Sequence, residues 1–340
     1  MPEKRKKNQT IIFKNPPVIC GAYTVCGPKE GRGPFGEYFH KVLEDDMCKE
    51  KTYEKAERKM MDMAIKGALK QCGLKEDEID ILICGDLLNQ TVSSSFSARN
   101  FKIPFLGIYS ACSVMSQGLA LAACLISGGT HNFVACATGS HFSSAERQYR
   151  FPLELGVQRP PTSQWTATGT ACTILTASTP AQKGTKITSA TFGTVEDYGI
   201  KDVYNMGAAM APAAFETFKI HLKNTGTKPD DYDAIITGDL GKLGSEIFLD
   251  LCENGDIKVK NNFSDCGQML YSKNQGTLMG ASGCGCSALI INSIVLEKLK
   301  SGEYKKVLYL ATGALLSLVT SQQGETIPGI CHAVVFERIE

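Results

Sequence analysis

Cysteine is the residue type in this chain with the widest chemical reach, and spacing sets two of the fourteen apart. Cys112 closes the run Ile108-Tyr109-Ser110-Ala111-Cys112 and precedes a long apolar segment, a pattern that predicts a turn opening a buried helix. Cys286 stands at the matching place of a second such segment, behind Ser282-Gly283-Cys284-Gly285. A helix start presents free backbone N–H groups and the positive end of the helix dipole, which lower a thiol pKa and attract anions. A small buried residue at a tight turn fits the same spacing, so nucleophile and packing residue both stay open. Glycines before Cys286 let backbone come close to a ligand. Cys284 and Cys286 form a CxC pair, open to metal or redox chemistry and equally to close packing.

Other metal chemistry finds no pattern. No pair of CxxC motifs stands at zinc spacing, and no loop alternates acidic residues like a calcium-binding EF-hand. No metal and no cofactor is expected. Cys84, Cys124 and Cys136 lie in apolar segments and read as reduced core residues.

The elements that must position these cysteines are written twice. Residues 63–87 align without a gap on residues 216–240, at a shift of 153 (238 less 85 for the matched glycines). Leu69, Lys70, Gly73, Asp80, Gly85, Asp86 and Leu87 all recur. Residues 112–143 align on residues 286–317 at a shift of 174 (286 less 112), with Cys-Ser, Ser-Gly and Ala-Thr-Gly coinciding. Each copy reads as helix, turn, buried strand and Gly-Asp loop, then a helix starting just after the cysteine, an apolar strand and a Thr-Gly loop. The second copy's extra residues fall within 241–285, a natural place for ligand contacts. Two such halves, at 1–182 and 183–340, predict a mixed sheet in each with helices on its faces. Their equivalent loops converge on a pseudo-twofold axis, so Cys112 and Cys286 are expected to face each other across one cleft.

Composition bounds the rest. Apolar residues make up 43% of the 340, enough for a large core. Thirty-six Lys and Arg against 35 Asp and Glu argue against a nucleic-acid partner or a wholly membrane-binding surface. The basic residues 1–7 read as a frayed terminus or a tether. No apolar run is long enough to span a bilayer and no signal peptide is evident, so the protein is expected to be soluble, on the cytoplasmic side.

A strand, a cysteine opening a buried helix, and a Gly-rich turn opening the matching helix of a duplicated half resemble the thiolase superfamily. That resemblance implies a five-layer α/β/α/β/α sandwich of two duplicated halves, usually a homodimer, with the Cys112 helix in the place of the nucleophile helix. The enzymes carry a His or Asn where this chain has Cys286, and a further His after the strand that here ends in Gly238-Asp239-Leu240-Gly241. None of His40, His131, His141, His221 and His332 falls on either place, though His141 follows a strand end and could point inward. Without those groups no catalytic residue is assigned, and a cysteine-dependent acyltransferase or condensing enzyme is the alternative.

Longer stretches narrow the resemblance. GDLLNQ (85–90), KIPFLGIYSACS (102–113), MGAAMAPAA (206–214), SDCGQMLY (264–271), SGCGCSA (282–288) and ETIPGICHAVVFER (325–338) are similar to the stage V sporulation protein AD family. Membership implies binding of dipicolinate (pyridine-2,6-dicarboxylate), free or as its calcium chelate, for movement into the developing spore. It also implies membrane-embedded sporulation channel proteins as partners, and peripheral association with the inner spore membrane. A flat aromatic dianion needs apolar walls and N–H or hydroxyl donors. Cys112, Ser113, Ser282, Gly283, Cys284 and Cys286 are the candidate ligand-binding residues. Asp265 and Cys266, in the family's Asp-Cys-Gly run, join them by the same resemblance, although Asp265 also fits a turn-capping role. Arg147, Arg150 and Arg159 could pair with carboxylates or form surface ion pairs.

Overall fold

The computed structural model describes residues 9–147, 159–178 and 184–339. Ten principal strands form two sets of five. The first set holds β1 (Val18–Cys26), β2 (Ile81–Gly85), β3 (Phe105–Gly107), β4 (Phe133–Ser140) and β5 (Gly169–Thr176) in the order β3-β2-β4-β5-β1. The second holds β6 (Gly184–Phe192), β7 (Ala234–Thr237), β8 (Phe263–Asp265), β9 (Lys306–Ala314) and β10 (Gly329–Ile339) in the order β8-β7-β9-β10-β6. In each set the first three neighbours run parallel and the last three antiparallel. The sets meet at one backbone pair, Val18 with Lys186. The expected division at 182/183 falls in residues 179–183, outside the described residues.

The helices repeat with the strands. Helix α1 (Tyr53–Cys72) and its counterpart α4 (Met206–Thr225) have bounds separated by the 153 residues of the sequence alignment. Both start on a side-chain cap, Thr52 accepting from the Lys55 N–H and Asn205 from Ala208, and both end on a left-handed glycine, Gly73 or Gly226. Short α2 (Val92–Ala98) and longer α5 (Gly241–Asn254) follow β2 and β7. Two central helices complete the frame: α3 (Val114–Ser127), and α6, which runs from Cys284–Ile290 through a π turn at Ile291–Val295 into Leu296–Ser301.

Three apolar clusters bond these pieces into five layers. On one outer face Met60, Met61 and Ile65 of α1 pack on Leu82, Cys84 and Ile174. On the other, Met210 and Phe218 of α4, with Phe248 of α5, pack on Ile235, Leu308 and Val335. Between the sheets, Met115, Leu119 and Ile126 of α3 and Leu289, Ile290 and Ile294 of α6 meet Ile83, Val134 and Leu175 on one side and Ile236, Val307 and Val334 on the other. A helix apolar all round suits a layer with protein on both faces. Each Leu or Ile so buried contributes about 1.5–3 kcal/mol.

One expectation needs correction. Cys112 precedes its helix, in a single 3₁₀ turn at Ala111–Ser113, but Cys286 lies inside the first turn of α6. Gly283, at φ +98°, turns the chain into the helix two residues before Cys286. Gly285 then packs where a Cβ would stand 2.4 Å from the Gly169 carbonyl oxygen. The second copy's extra residues supply the short helix Cys266–Met269 and the strand Ala281–Ser282, which pairs in parallel with Trp165–Thr166.

Candidate functional site

Cys112 sits where the end of β9 meets the start of α6. Gly313 of β9 makes room for its turn: a Cβ there would stand 2.4 Å from the Ser110 carbonyl oxygen. Ala111 takes a left-handed φ of +49°, which costs a residue with a Cβ about 1 kcal/mol or more, so the packing around it over-determines the turn that aims Cys112. The Cys112 sulfur lies 3.8 Å from Ser282 Oγ, which in turn donates to the Asp239 carboxylate.

Asp239 organises the floor. Its Oδ1 accepts from Thr312 Oγ1 at 2.8 Å; its Oδ2 accepts from Ser282 Oγ at 2.9 Å and from the Gly283 N–H at 3.0 Å. Gln164 Nε2 donates to the Asp239 carbonyl at 2.7 Å and to that of Ala281 at 2.8 Å, holding the two segments together. Burial raises the Asp239 pKa against the pull of these donors. Burial first, and the Asp239 charge second, push the Cys112 thiol well above its ordinary range. The helix opening therefore does not produce a thiolate here: desolvation outweighs the dipole.

Above this floor opens a small pocket, with about 80 Å³ of interior space. Leu87, Tyr109, Val203, Met206 and Leu316 give it apolar walls; Ser163, Gln164, Thr166, Tyr204 and Ser282 give it polar groups. Among the described residues Glu146 is the one carboxylate in the lining, and it accepts from Thr166 Oγ1 at 3.0 Å.

The structure divides the eight candidates. Cys112 and Ser282 line the pocket, and the Gly283 N–H points to Asp239 just beneath. Ser113 turns back to donate to the Ser110 carbonyl at 2.7 Å. Cys284 is spent against the Ala111 carbonyl at 3.1 Å, and Cys286 lies 3.7 Å from that of Gly238. Cys112 thus faces Ser282 and Asp239, not Cys286, because the early start of α6 rotates Cys286 behind the wall. Cys266 is fully buried with it. Asp265 caps structure: Thr237 Oγ1 and the N–H groups of Leu240, Gly241 and Gln268 all donate to it within 3.1 Å. Burial raises it to about 7. Arg147 pairs with Glu54, Arg159 donates to the Gln164 carbonyl and stacks on Trp165, and Arg150 lies outside the described residues.

No histidine lines the pocket among the described residues. His141 donates to the Asp46 carbonyl at 2.7 Å and accepts from the Ser143 N–H. His40 bonds Thr24, His131 bonds Thr130, His221 bridges Thr191 and Tyr232, and His332 accepts from the Gly193 N–H. Asp239 was the residue that sequence reasoning passed over. Its signal was present, since it repeats Asp86 in the duplicated Gly-Asp pair, but the pair gave no hint of which copy faced a cavity.

Two halves of one topology, with central helices packed between their sheets and a cysteine at the mouth of the first, define a thiolase-fold protein. Solved structures share that fold: 3-oxoacyl-[acyl-carrier-protein] synthase III from Aquifex aeolicus VF5 (TM-score 0.56, 15% identity, 94% of this chain and 99% of that one); cerulenin-bound OleA from Xanthomonas campestris (0.61, 13%, 96% and 100%); and human mitochondrial 3-ketoacyl-CoA thiolase with CoA (0.59, 12%, 97% and 100%). Within that class, residues 7–337 match the family described as Stage V sporulation protein AD (SpoVAD). The stage V sporulation protein AD of Bacillus subtilis (strain 168) is 44% identical over 330 residues, 97% of each chain. The chain belongs to the stage V sporulation protein AD family. No helix among the described residues is long and apolar enough to cross a membrane.

Proposed function

We propose that this sporulation protein binds dipicolinate, without reacting with it, in the pocket above Cys112, and hands it to membrane-embedded sporulation channel proteins. The observation that carries the reading is the environment of Cys112: a buried neutral thiol beside a carboxylate, with serine and threonine hydroxyls where an acyl-transfer enzyme needs an imidazole. Such a site holds a ligand but lacks an activated nucleophile. Tyr109, Leu87 and Met206 offer apolar walls to a flat ring, and Ser163, Gln164 and Ser282 offer polar groups to its carboxylates.

The protein works on this reading as a peripheral partner at the inner spore membrane and as a homodimer. Strand β3 supports the dimer: it is the free edge of its sheet, and Phe105 and Leu106 are exposed along it beside exposed Phe96 and Tyr109.

Isothermal titration of the intact protein with dipicolinate, with and without calcium, tests the binding. Saturable heat is expected, and Cys112→Phe, which fills the pocket, should weaken it at least tenfold. No binding by a folded protein would end the proposal. The link from Cys112 through Ser282 to the Asp239 carboxylate keeps acyl transfer as a second reading, with Asp239 as proton acceptor. An acyl adduct confined to Cys112 after incubation with acyl-CoAs, seen by intact mass spectrometry, would favour it.

A further inference from the structure

Eleven of the fourteen cysteines are buried; Cys20, Cys72 and Cys124 are partly exposed, and Cys20 and Cys72 lie where the start of β1 meets the end of α1. Cys20 lies on β1 at a bulge, where the register on β5 skips from Ile19 to Gly21 and leaves Cys20 opposite no residue. A bulge turns a side chain out of the strand's alternation. Cys72 is the last residue of α1, which packs on β1. The Ala22 N–H donates to Gln71 Oε1 at 3.0 Å and locks the helix end to the strand. Gly21 leaves the space between them open, since a Cβ there would stand 2.7 Å from the Cys72 sulfur.

Gly21 and the Gln71–Ala22 hydrogen bond thus bring the helix end that carries Cys72 against the strand that carries Cys20. The influence of each thiol on the other lowers the Cys20 pKa and raises that of Cys72, so the pair has a better thiolate and a protonated neighbour. Cys20 also lines an open groove with His40, Gln71 and Asn292, which admits a small oxidant.

We infer that Cys20 and Cys72 form a peroxide-sensitive pair that closes into an intrachain disulfide, tying the end of α1 to β1. The Cys20 thiolate attacks the O–O bond of the peroxide, giving a sulfenic acid and hydroxide, which takes up the proton Cys20 had released. The Cys72 sulfur then attacks the Cys20 sulfur; the S–O bond breaks, and the hydroxyl leaves with the Cys72 proton as water. Two thiols and one hydrogen peroxide become one disulfide and two waters, and a dithiol reverses the change. Strand register puts Val18 level with Thr176 and Thr176 level with Phe133, at the end of β4 opposite Ser140. The pair therefore lies at the far end of the sheet from the Cys112 pocket and acts on stability, by restricting the unfolded chain.

The test treats the full chain with a few equivalents of hydrogen peroxide, blocks free thiols with iodoacetamide and maps peptides without reduction. A Cys20–Cys72 cross-link is expected, with an intact mass lower by about 2 Da before alkylation. The thermal midpoint should rise by roughly 2–5 °C and return on adding dithiothreitol. Cys20→Ser and Cys72→Ser should each abolish the cross-link, and Cys124→Ser should keep it. Near-isosteric serine leaves the fold intact, which the reduced thermal midpoints check. Oxidation appearing only as oxygen added to single cysteines, or a cross-link surviving in Cys72→Ser, would overturn the inference.

Discussion

Asp239 sets the chemistry of the pocket floor more than Cys112 does. It collects hydrogen bonds from Thr312, Ser282 and the Gly283 N–H, and its charge helps hold the neighbouring thiol protonated. Burial is the larger cause of that protonation, so removing the charge should act in a known direction and only in part. Asp239→Asn is expected to shift the alkylation of Cys112 by iodoacetamide to lower pH, followed by mass spectrometry, yet leave the thiol above its ordinary range. The same change turns an amide NH₂ toward donors and should cost about 1–3 kcal/mol of stability. An unchanged alkylation profile would mean that the carboxylate does not govern the thiol.

At the scale of elements, the site depends on how α6 begins. Gly283 holds φ +98°, and a Cβ there would meet Ser140 Oγ at 2.7 Å. Its N–H bonds Asp239 and the next glycine's N–H bonds Ser140 Oγ at 3.0 Å, so this turn joins the halves at the pocket. Gly283→Ala should cost about 1–3 kcal/mol in denaturation experiments. It should also weaken dipicolinate binding more than its stability loss explains, because Ser282 moves with the turn. Full affinity in the folded variant would show that the start of α6 does not shape the pocket.

For the whole molecule, burial of acids governs pH dependence. Glu30, Glu57, Asp86, Asp239 and Asp265 are all buried with raised pKa, and Asp265 reaches about 7. A carboxyl with a raised folded pKa contributes stability that is fully present below its unfolded value near 4 and is lost as pH rises through the folded value. His221 and His332, lowered to about 4, act oppositely, but their loss begins only as pH falls below about 6.5. The urea midpoint should therefore be higher at pH 7 than at pH 8.5, above the histidine window; the reverse order would show that these acids stay ionised. The assembly has its own test. Leu106→Arg puts charge on the free β3 edge and should convert a dimer to a monomer in light scattering, whereas a wild-type monomer would remove the dimer proposal.

Residue order by itself determined the architecture. Duplicated blocks at shifts of 153 and 174 foretold paired helices and strands, because each block carries the local periodicity, caps and turns of its own half. The buried helix behind Cys112 and a seam-side place for that cysteine were legible for the same reason. Only tertiary structure decided what faces it. Starting α6 at Cys284, ahead of Cys286, sent Cys286 behind the wall and brought Ser282 forward, and three-dimensional packing chose Asp239 over Asp86, Asp265 or any histidine. Side-chain direction at a helix start turns by about 100° per residue, so a repeat that aligns letter for letter still cannot say which of its residues reaches the cavity.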